Sequence, residues 1–236
     1  MLANGLAIVI QRALGELAAA RADEARRHRK ALLLGALRED VARVPFGTRV
    51  FEHLSFSHFG GGRWPGGFLP FWPGPRYKVR RHFRAAIARA RAGAHGAAFV
   101  ALGRACHVLT DMACPPHVHR VIHEADPFEW YVEVHADTLA DARATPPVAP
   151  PALHDPGALV TSLSALARRA PADRTRNAVG RWLRRLGLLR PVPAREIARQ
   201  ARELIPAAAA HVAALIALFL EATADAGAGT DAGAPA

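Results

Sequence analysis

The sequence predicts an all-α protein, a single-domain multi-helix bundle, and three observations lead to that prediction. Hydrophobic residues make up 51% of the 236 residues, and the most frequent types include alanine, leucine and arginine, which favour helices. Valine, isoleucine and the aromatic residues are scattered rather than alternating, so the period of an exposed strand is missing. The length suits one domain that can bury a sizeable core.

Helical periodicity covers most of the chain, with one long interruption. Residues 45–75 hold seven glycines, five prolines and eight aromatic residues, too many helix breakers for regular structure. Pro206 should kink or split the last helix. With no repeat or boundary evident, residues 1–225 form one predicted domain and residues 226–236 a disordered Gly/Ala-rich tail. The predicted helices are 2–17, 24–43, 76–91, 96–114, 126–142, 158–169, 172–186 and 194–224.

The formal charge of +11 is the first functional clue, because basic proteins bind nucleic acids or anionic membranes. Only two of the 31 basic residues are lysines, Lys30 and Lys78. Such a preference for arginine, beside abundant Ala, Gly and Pro, is typical of GC-rich coding. We therefore interpret the charge as a dispersed basic surface.

The sequence shows neither a signal peptide nor a membrane span. Met1–Leu17 lacks a basic segment before its apolar run and a clear cleavage site, which indicates an amphipathic helix. Ala207–Leu220 is the nearest apolar run, but it has only 14 residues and contains His211. The sequence leaves the compartment open: as written the chain is cytoplasmic, unless its start is truncated.

The two cysteines are not expected to form a disulfide. Cys106 and Cys114 are eight residues apart, which on one helix is roughly 12 Å. A disulfide tolerates at most about 7 Å between Cα atoms.

A histidine and acid cluster suggests a metal site. His107 and Asp111 are four residues apart, which places both side chains on one helix face, roughly 6 Å apart at Cβ. Zinc accepts such nitrogen and oxygen ligands. His117 follows just past Pro115-Pro116 and can turn back toward the same helix end. The alternatives are a satisfied core histidine and a hydrogen-bonded surface pair.

Several segments resemble one known family, the bacterial zinc-dependent phospholipase C family, which is related to P1-type single-strand nucleases. The resemblance covers residues 33–223, and its most specific part is a His-x3-Asp-x5-His core. It implies an all-helical fold of the phospholipase C / P1 nuclease type and a cleft with a zinc cluster that cleaves phosphodiester bonds. The matching segments are Ser57–Phe59, Phe68–Phe71, Ala101–His117 and Phe128–Glu133.

The resemblance also implies metal ligands, residue by residue. His107 and Asp111 would bind a first metal with His58 and with Asp40, which matches an upstream aspartate. Asp40 is also the candidate base for the attacking water. Asp111 would bridge two metals.

His117 would bind another zinc together with a following histidine and glutamate. Glu129 matches the glutamate, but Ala125 stands where the histidine should be. His123 could replace that histidine, and Asp126 is a fallback ligand.

One zinc of the family is held by an N-terminal tryptophan and a nearby histidine, and the first 27 residues contain neither. The matching place falls near Asn4-Gly5. The resemblance therefore implies two zinc ions, or three if the true start lies upstream.

The function implied is a zinc-dependent phosphoric-diester hydrolase, phospholipase C-like, in which metal-activated water cleaves a phospholipid or another phosphodiester. One alternative is a P1-type single-strand nuclease, since the basic charge suits a nucleic acid. The other is a catalytically inactive helical module that binds metal or lipid.

Overall fold

The computed structural model of the chain describes residues 1–39, 41–43, 49–51, 74–121, 126–141, 146 and 148–224. The prediction of an all-α fold is confirmed, with one short antiparallel pair of strands in which Val41 pairs with Phe51 and Arg43 with Arg49. The elements are α1 (Ala3–Glu16), α2 (Ala19–Arg27), α3 (Arg29–Arg38), β1 (Val41–Arg43), β2 (Arg49–Phe51), α4 (Pro75–Arg91), α5 (His95–Asp111), α6 (Pro115–Val118), α7 (Pro127–Val134), α8 (Ala136–Ala140), α9 (Pro156–Ala167), α10 (Ala178–Arg185) and α11 (Ala194–Ala224).

The core of the bundle lies around α5 and α11. Helix α5 packs mainly on α3 and α4, while α11 packs on α1, α5, α7 and α9. Phe99 of α5 and Phe219 of α11 meet edge to face with their ring centroids 5.3 Å apart, and both are buried. An aromatic pair of this geometry adds about 1 kcal/mol beyond burial of its area.

Two predicted helices are each split into two. The helix predicted at residues 24–43 breaks at His28, whose ring stacks on Phe99 at 4.4 Å, and α3 ends at Arg38. The helix predicted at residues 126–142 breaks at His135, whose ring packs on Tyr131 at 4.2 Å. The contact at His28 is with a distant helix, whereas that at His135 is with a residue four positions earlier in the chain.

Two further differences concern α10 and α11. Helix α10 starts at Ala178 rather than 172, because the Asn177 side chain accepts a hydrogen bond from Gly180 N and caps the helix. Of the two predicted effects of Pro206, the split is wrong, since α11 runs through Pro206 for 31 residues, and the kink stays a prediction. Pro206 and its neighbours are buried, so packing maintains the helix there. The predicted tail, 226–236, lies outside the described residues.

Helix α11 is long and apolar enough to cross a membrane. However, 83% of its most apolar 18-residue stretch is buried inside the bundle. Burial on all sides is what an apolar core helix requires. We therefore describe α11 as a core helix.

Glu16, at the end of α1, leads to a prediction on pH-dependent stability. Burial raises the pKa of its carboxyl to about 7, although the charge of Arg12 partly opposes that shift. A raised carboxyl pKa means that the folded state binds the proton more tightly, so stability falls as pH rises from the unfolded value of about 4.3 through 7. After a discount for solvent screening, Glu16→Gln should raise the free energy of unfolding by about 1 kcal/mol at pH 8.

Urea unfolding at pH 5 and pH 8 checks this expectation. The gain should fall at pH 5 to about a third of its value at pH 8, because the native carboxyl of Glu16 is then protonated while the unfolded chain is already ionised above about pH 4.3. Glu203→Gln is the control, because Glu203 is a half-exposed carboxylate paired with Arg199 on α11. A difference between Glu16→Gln and the wild type that is the same at both pH values would contradict the raised pKa.

Candidate metal centre

The end of α5 carries the first part of the cluster. His107 and Asp111 lie on one face, with His107 Nε2 3.2 Å from Asp111 Oδ2, and both side chains are fully buried. The Nδ1 atom of His107 is 2.8 Å from the carbonyl oxygen of Ala36 on α3. A hydrogen bond of this kind fixes the ring orientation and its tautomer, and it is the usual support of a metal-binding imidazole.

His117 turns back toward α5, as the sequence suggests. Pro115 occupies the first turn of the short α6, where its missing N–H costs nothing. The Nδ1 atom of His117 is 4.0 Å from Asp111 Oδ2, and its Nε2 is 3.4 Å from Glu129 Oε1. The described part of the predicted site, His107, Asp111, His117 and Glu129, is thus brought together.

Glu129 reaches the cluster because of how α7 begins. Asp126 caps α7, since its Oδ1 accepts hydrogen bonds from the backbone N–H groups of Phe128 (2.8 Å) and Glu129 (3.2 Å). Pro127 occupies the first turn. This start was predicted, and it places the buried carboxylate of Glu129 in the first turn.

A cationic group lies at the centre of the cluster. The amino nitrogen of Met1 is buried, 2.7 Å from Asp111 Oδ1 and 2.8 Å from Glu129 Oε1. Two carboxylates that converge on one positive charge form a donor set that stabilises a cation.

The start of α1 is fixed beside the cluster by Glu133 of α7. Its Oε2 accepts hydrogen bonds from the backbone N–H groups of Asn4 (2.9 Å) and Gly5 (3.3 Å). A carboxylate at a helix N-terminus satisfies N–H groups that have no partner within the helix. Asn4 and Gly5, the place matched to the family's N-terminal ligands, therefore contact Glu133 through their backbone.

The charges of the cluster shift the pKa values of its members. Burial opposes ionisation of Asp111, but the positive charges of the Met1 amino group, His107 and His117 hold the pKa of its carboxyl well below the usual value. Burial lowers the pKa of His117, yet Asp111 and Glu129 outweigh it and the pKa is raised. Burial and the charge of Glu129 raise the pKa of Asp126 to about 7.

Cys114 is a candidate ligand that sequence reasoning missed. The sulfur of Cys114 and potential ligand atoms of His117 and Glu129 all lie within 4.8 Å of one another, and all three residues are buried. Burial and the nearby charges of Glu129 and Asp126 raise the pKa of the Cys114 thiol well above its usual value. Both cysteines are free, which confirms that they form no disulfide with each other.

A signal for Cys114 was present in the sequence. The residue stands three positions before His117 and directly before the Pro115-Pro116 turn, so the turn that orients His117 also positions its sulfur. The spacing of Cys106 and Cys114 bears only on a disulfide between them and not on whether either binds a metal.

Three predicted site residues, Asp40, His58 and His123, lie outside the described residues. Glu39, directly before Asp40, is buried, and its carboxylate contacts Lys78, His82 and Arg104. Burial opposes its ionisation, but the hydrogen bond with His82 and the charges of Lys78 and Arg104 hold the pKa of Glu39 far below its usual value. The end of α3 is therefore tied to α4 and α5 by a buried ion-pair network.

The described residues fit a zinc ion by their chemistry. Imidazole nitrogen, carboxylate oxygen and thiolate sulfur are the ligands that zinc takes in proteins. Asp111 and Glu129 already stabilise one buried positive charge, that of the Met1 amino group. Asp126 Oδ2 is buried and makes no hydrogen bond within the described part of the chain. This atom is therefore a further candidate oxygen ligand, close to Glu129.

No family model matches the sequence, and no curated protein matches it. Solved structures do. The alpha-toxin of Clostridium perfringens from an avian strain has a TM-score of 0.65 and 14% identity, over 98% of this chain and 65% of the toxin. The alpha-toxin of Clostridium absonum has a TM-score of 0.63 and 14% identity, over 93% of this chain and 64% of that chain.

This likeness shows that the chain has the all-α fold of the clostridial alpha-toxins. The chain spans just under two thirds of the length of either toxin. At 14% identity the likeness concerns the fold alone.

Proposed function

We propose that the protein is a zinc-dependent phosphoric-diester hydrolase of the phospholipase C type. The observation that supports this most is the buried cluster of His107, Asp111, His117 and Glu129 around a positive charge, in a chain with the alpha-toxin fold. The substrate class, phospholipid, comes from the family resemblance.

The described residues would divide the work of holding zinc. Asp111 lies between His107 and His117, and these three residues would hold zinc together. His117 and Glu129 would hold one side of the site, with Cys114 as an additional sulfur ligand. When bound, zinc supplies Lewis-acid polarisation of the phosphate and lowers the pKa of a bound water to about 7.

Residues next to these ligands orient the ligand side chains. The carbonyl of Ala36 orients the His107 ring, and Asp126 fixes the turn that carries Glu129. Glu39 ties the end of α3 to α4 and α5 immediately before Asp40, which we retain as the candidate base. We propose that the site holds two zinc ions. A third ion would need ligands other than these residues.

Hydrolysis of a short-chain phosphatidylcholine tests the proposal. We expect release of phosphocholine by the zinc-loaded protein, loss of the activity with a chelator, and its return when zinc is added back. A short-chain lipid avoids any need for membrane binding, so the reaction should change little with salt.

Single-stranded DNA is the comparison substrate. A nuclease would bind it through phosphate contacts, so its activity would fall steeply with ionic strength. The nuclease alternative is not favoured, because the matching structures are alpha-toxins. Cleavage of DNA but not of the lipid would reverse that preference, and zinc binding without either reaction would indicate an inactive module.

A further inference from the structure

Helix α10 and the turn after it form a surface that the proposed chemistry does not use. Four large apolar side chains are exposed there: Val179 by 66%, Trp182 by 59%, Leu186 by 53% and Leu188 by 68%. Gly180 is the only buried residue of α10. We name this surface, Val179 to Arg190, the α10 surface.

The apolar residues of α10 gather on one face. At 100° per residue, Val179, Trp182, Leu183 and Leu186 fall within a stripe about 100° wide. The exposed Arg181, Arg184 and Arg185 fall on the opposite side. Gly180 lies at the edge between these faces, and an added Cβ there would collide with the backbone of Arg174. The helix therefore rests on the protein along a narrow edge and exposes both its apolar and its basic face.

The charge of this region is one-sided. Residues 174–195 contain seven arginines and no aspartate or glutamate. Arginines here lie beside exposed tryptophan and leucine. A short amphipathic helix with arginine on one face and tryptophan and leucine on the other is the pattern of a helix that lies in the interface of an anionic membrane.

We propose that the α10 surface docks on an anionic lipid membrane. Trp182, Leu186 and Leu188 would enter the boundary between headgroups and acyl chains, while Arg184 and Arg185 would contact lipid phosphates. This inference concerns binding and does not depend on the proposed hydrolysis.

A cavity beside α10 extends the same surface. It measures about 740 Å³ and lies between α10 and residues 119–121. Its apolar lining includes Val121, Leu183 and Leu189, and Arg120 and Arg174 also line it. An apolar recess with adjoining cations suits the chemistry of an anionic lipid. Residues 119–121 follow His117 closely in the chain, so the α10 surface adjoins the segment that carries the candidate metal centre.

Two other occupants fit the surface less well. A nucleic acid would use the arginines through its phosphates, but it would leave the exposed leucines and Val179 without a partner. A second copy of the chain would pair this surface with itself, because a two-fold interface is self-complementary. It would then bring the four arginines of the α10 surface in each copy together without acidic residues, and like charges repel.

Vesicle sedimentation of the full chain tests the proposal, with a chelator present to stop any hydrolysis. We expect binding to vesicles of phosphatidylcholine with phosphatidylglycerol, weak binding to phosphatidylcholine alone, and loss of binding at high salt. Insertion of Trp182 should shift its fluorescence to shorter wavelength.

Variants separate the two parts of the surface. Trp182→Ala should weaken binding about tenfold and abolish the fluorescence shift. Arg184→Gln with Arg185→Gln should weaken it at least about twentyfold, since each basic residue near the membrane contributes about fivefold. Trp130→Ala is the matched control, because Trp130 on α7 is 64% exposed, and its binding and fluorescence shift should match the wild type.

Three results would overturn the proposal. They are no binding of the wild type to the anionic vesicles, an equal loss in Trp130→Ala and Trp182→Ala, or tight binding of a single-stranded oligonucleotide with no vesicle binding. A dimer that disappears in Trp182→Ala would instead assign the surface to self-association. The chelator keeps this test separate from the hydrolase proposal, because membrane docking can succeed where hydrolysis fails, and the reverse.

Discussion

Asp111→Asn and His117→Ala should each lower the affinity for zinc at least about 100-fold. Removal of a supporting residue beside a metal ligand already lowers affinity by about 10- to 100-fold, and these changes remove donors at the centre of the cluster. Asparagine keeps the shape of Asp111 but removes the negative charge that lies 2.7 Å from the Met1 amino nitrogen. Mass spectrometry measures the number of zinc ions bound per chain. Competition with a chromogenic chelator measures the affinity for zinc.

Two controls make the metal experiment specific. His211→Ala removes a buried histidine that contacts Ala207 and Ser162 rather than the cluster, and it should leave zinc affinity unchanged. Cys114→Ser should lower affinity about tenfold, since oxygen replaces a soft sulfur ligand, whereas Cys106→Ser should not. Wild-type protein that binds no zinc, or an equal loss in His211→Ala, would contradict the centre.

The approach of His107, Asp111 and His117 to one another could be predicted from local geometry, whereas Glu129 was assigned as a ligand only through the family resemblance. The four-residue spacing of His107 and Asp111 fixes one helix face, and the Pro115-Pro116 turn returns His117 to it. The acidic cap at Asp126 places Glu129 in the first turn of α7. These relations extend over one or two turns, so the sequence carries them directly.

Long-range contacts could not be predicted in this way. The Met1 amino group meets Asp111 across 110 positions of sequence, and it reaches the cluster because Glu133 caps α1. The break at His28 accompanies a contact with Phe99, and the continuity of α11 through Pro206 accompanies burial. Each of these depends on packing between elements, which hydrophobic period and turn chemistry do not encode.

Gly103→Ala should lower the free energy of unfolding by about 3 kcal/mol, an overpacking effect. Helices α3 and α5 cross so closely that a Cβ on Gly103 would collide with the backbone of Leu32 and approach the backbone of Ala36. Backbone atoms cannot rotate away as a side chain can, so α3 must shift. Gly103 lies one turn before His107 on the same face, and Ala36 holds the His107 ring at 2.8 Å. The shift should therefore weaken zinc binding as well as the fold.

Gly96→Ala provides the matched control on the same helix. Its added Cβ would meet nothing within 4 Å, so alanine should stabilise α5 by about 0.5 to 1 kcal/mol through its higher helix propensity. Urea unfolding of both variants measures the difference, and zinc affinity measured on folded protein tests the link to His107. If Gly103→Ala and Gly96→Ala have the same free energy of unfolding, α3 and α5 do not cross as closely as described. If it destabilises the fold but leaves zinc affinity unchanged, Ala36 does not position His107 for metal binding.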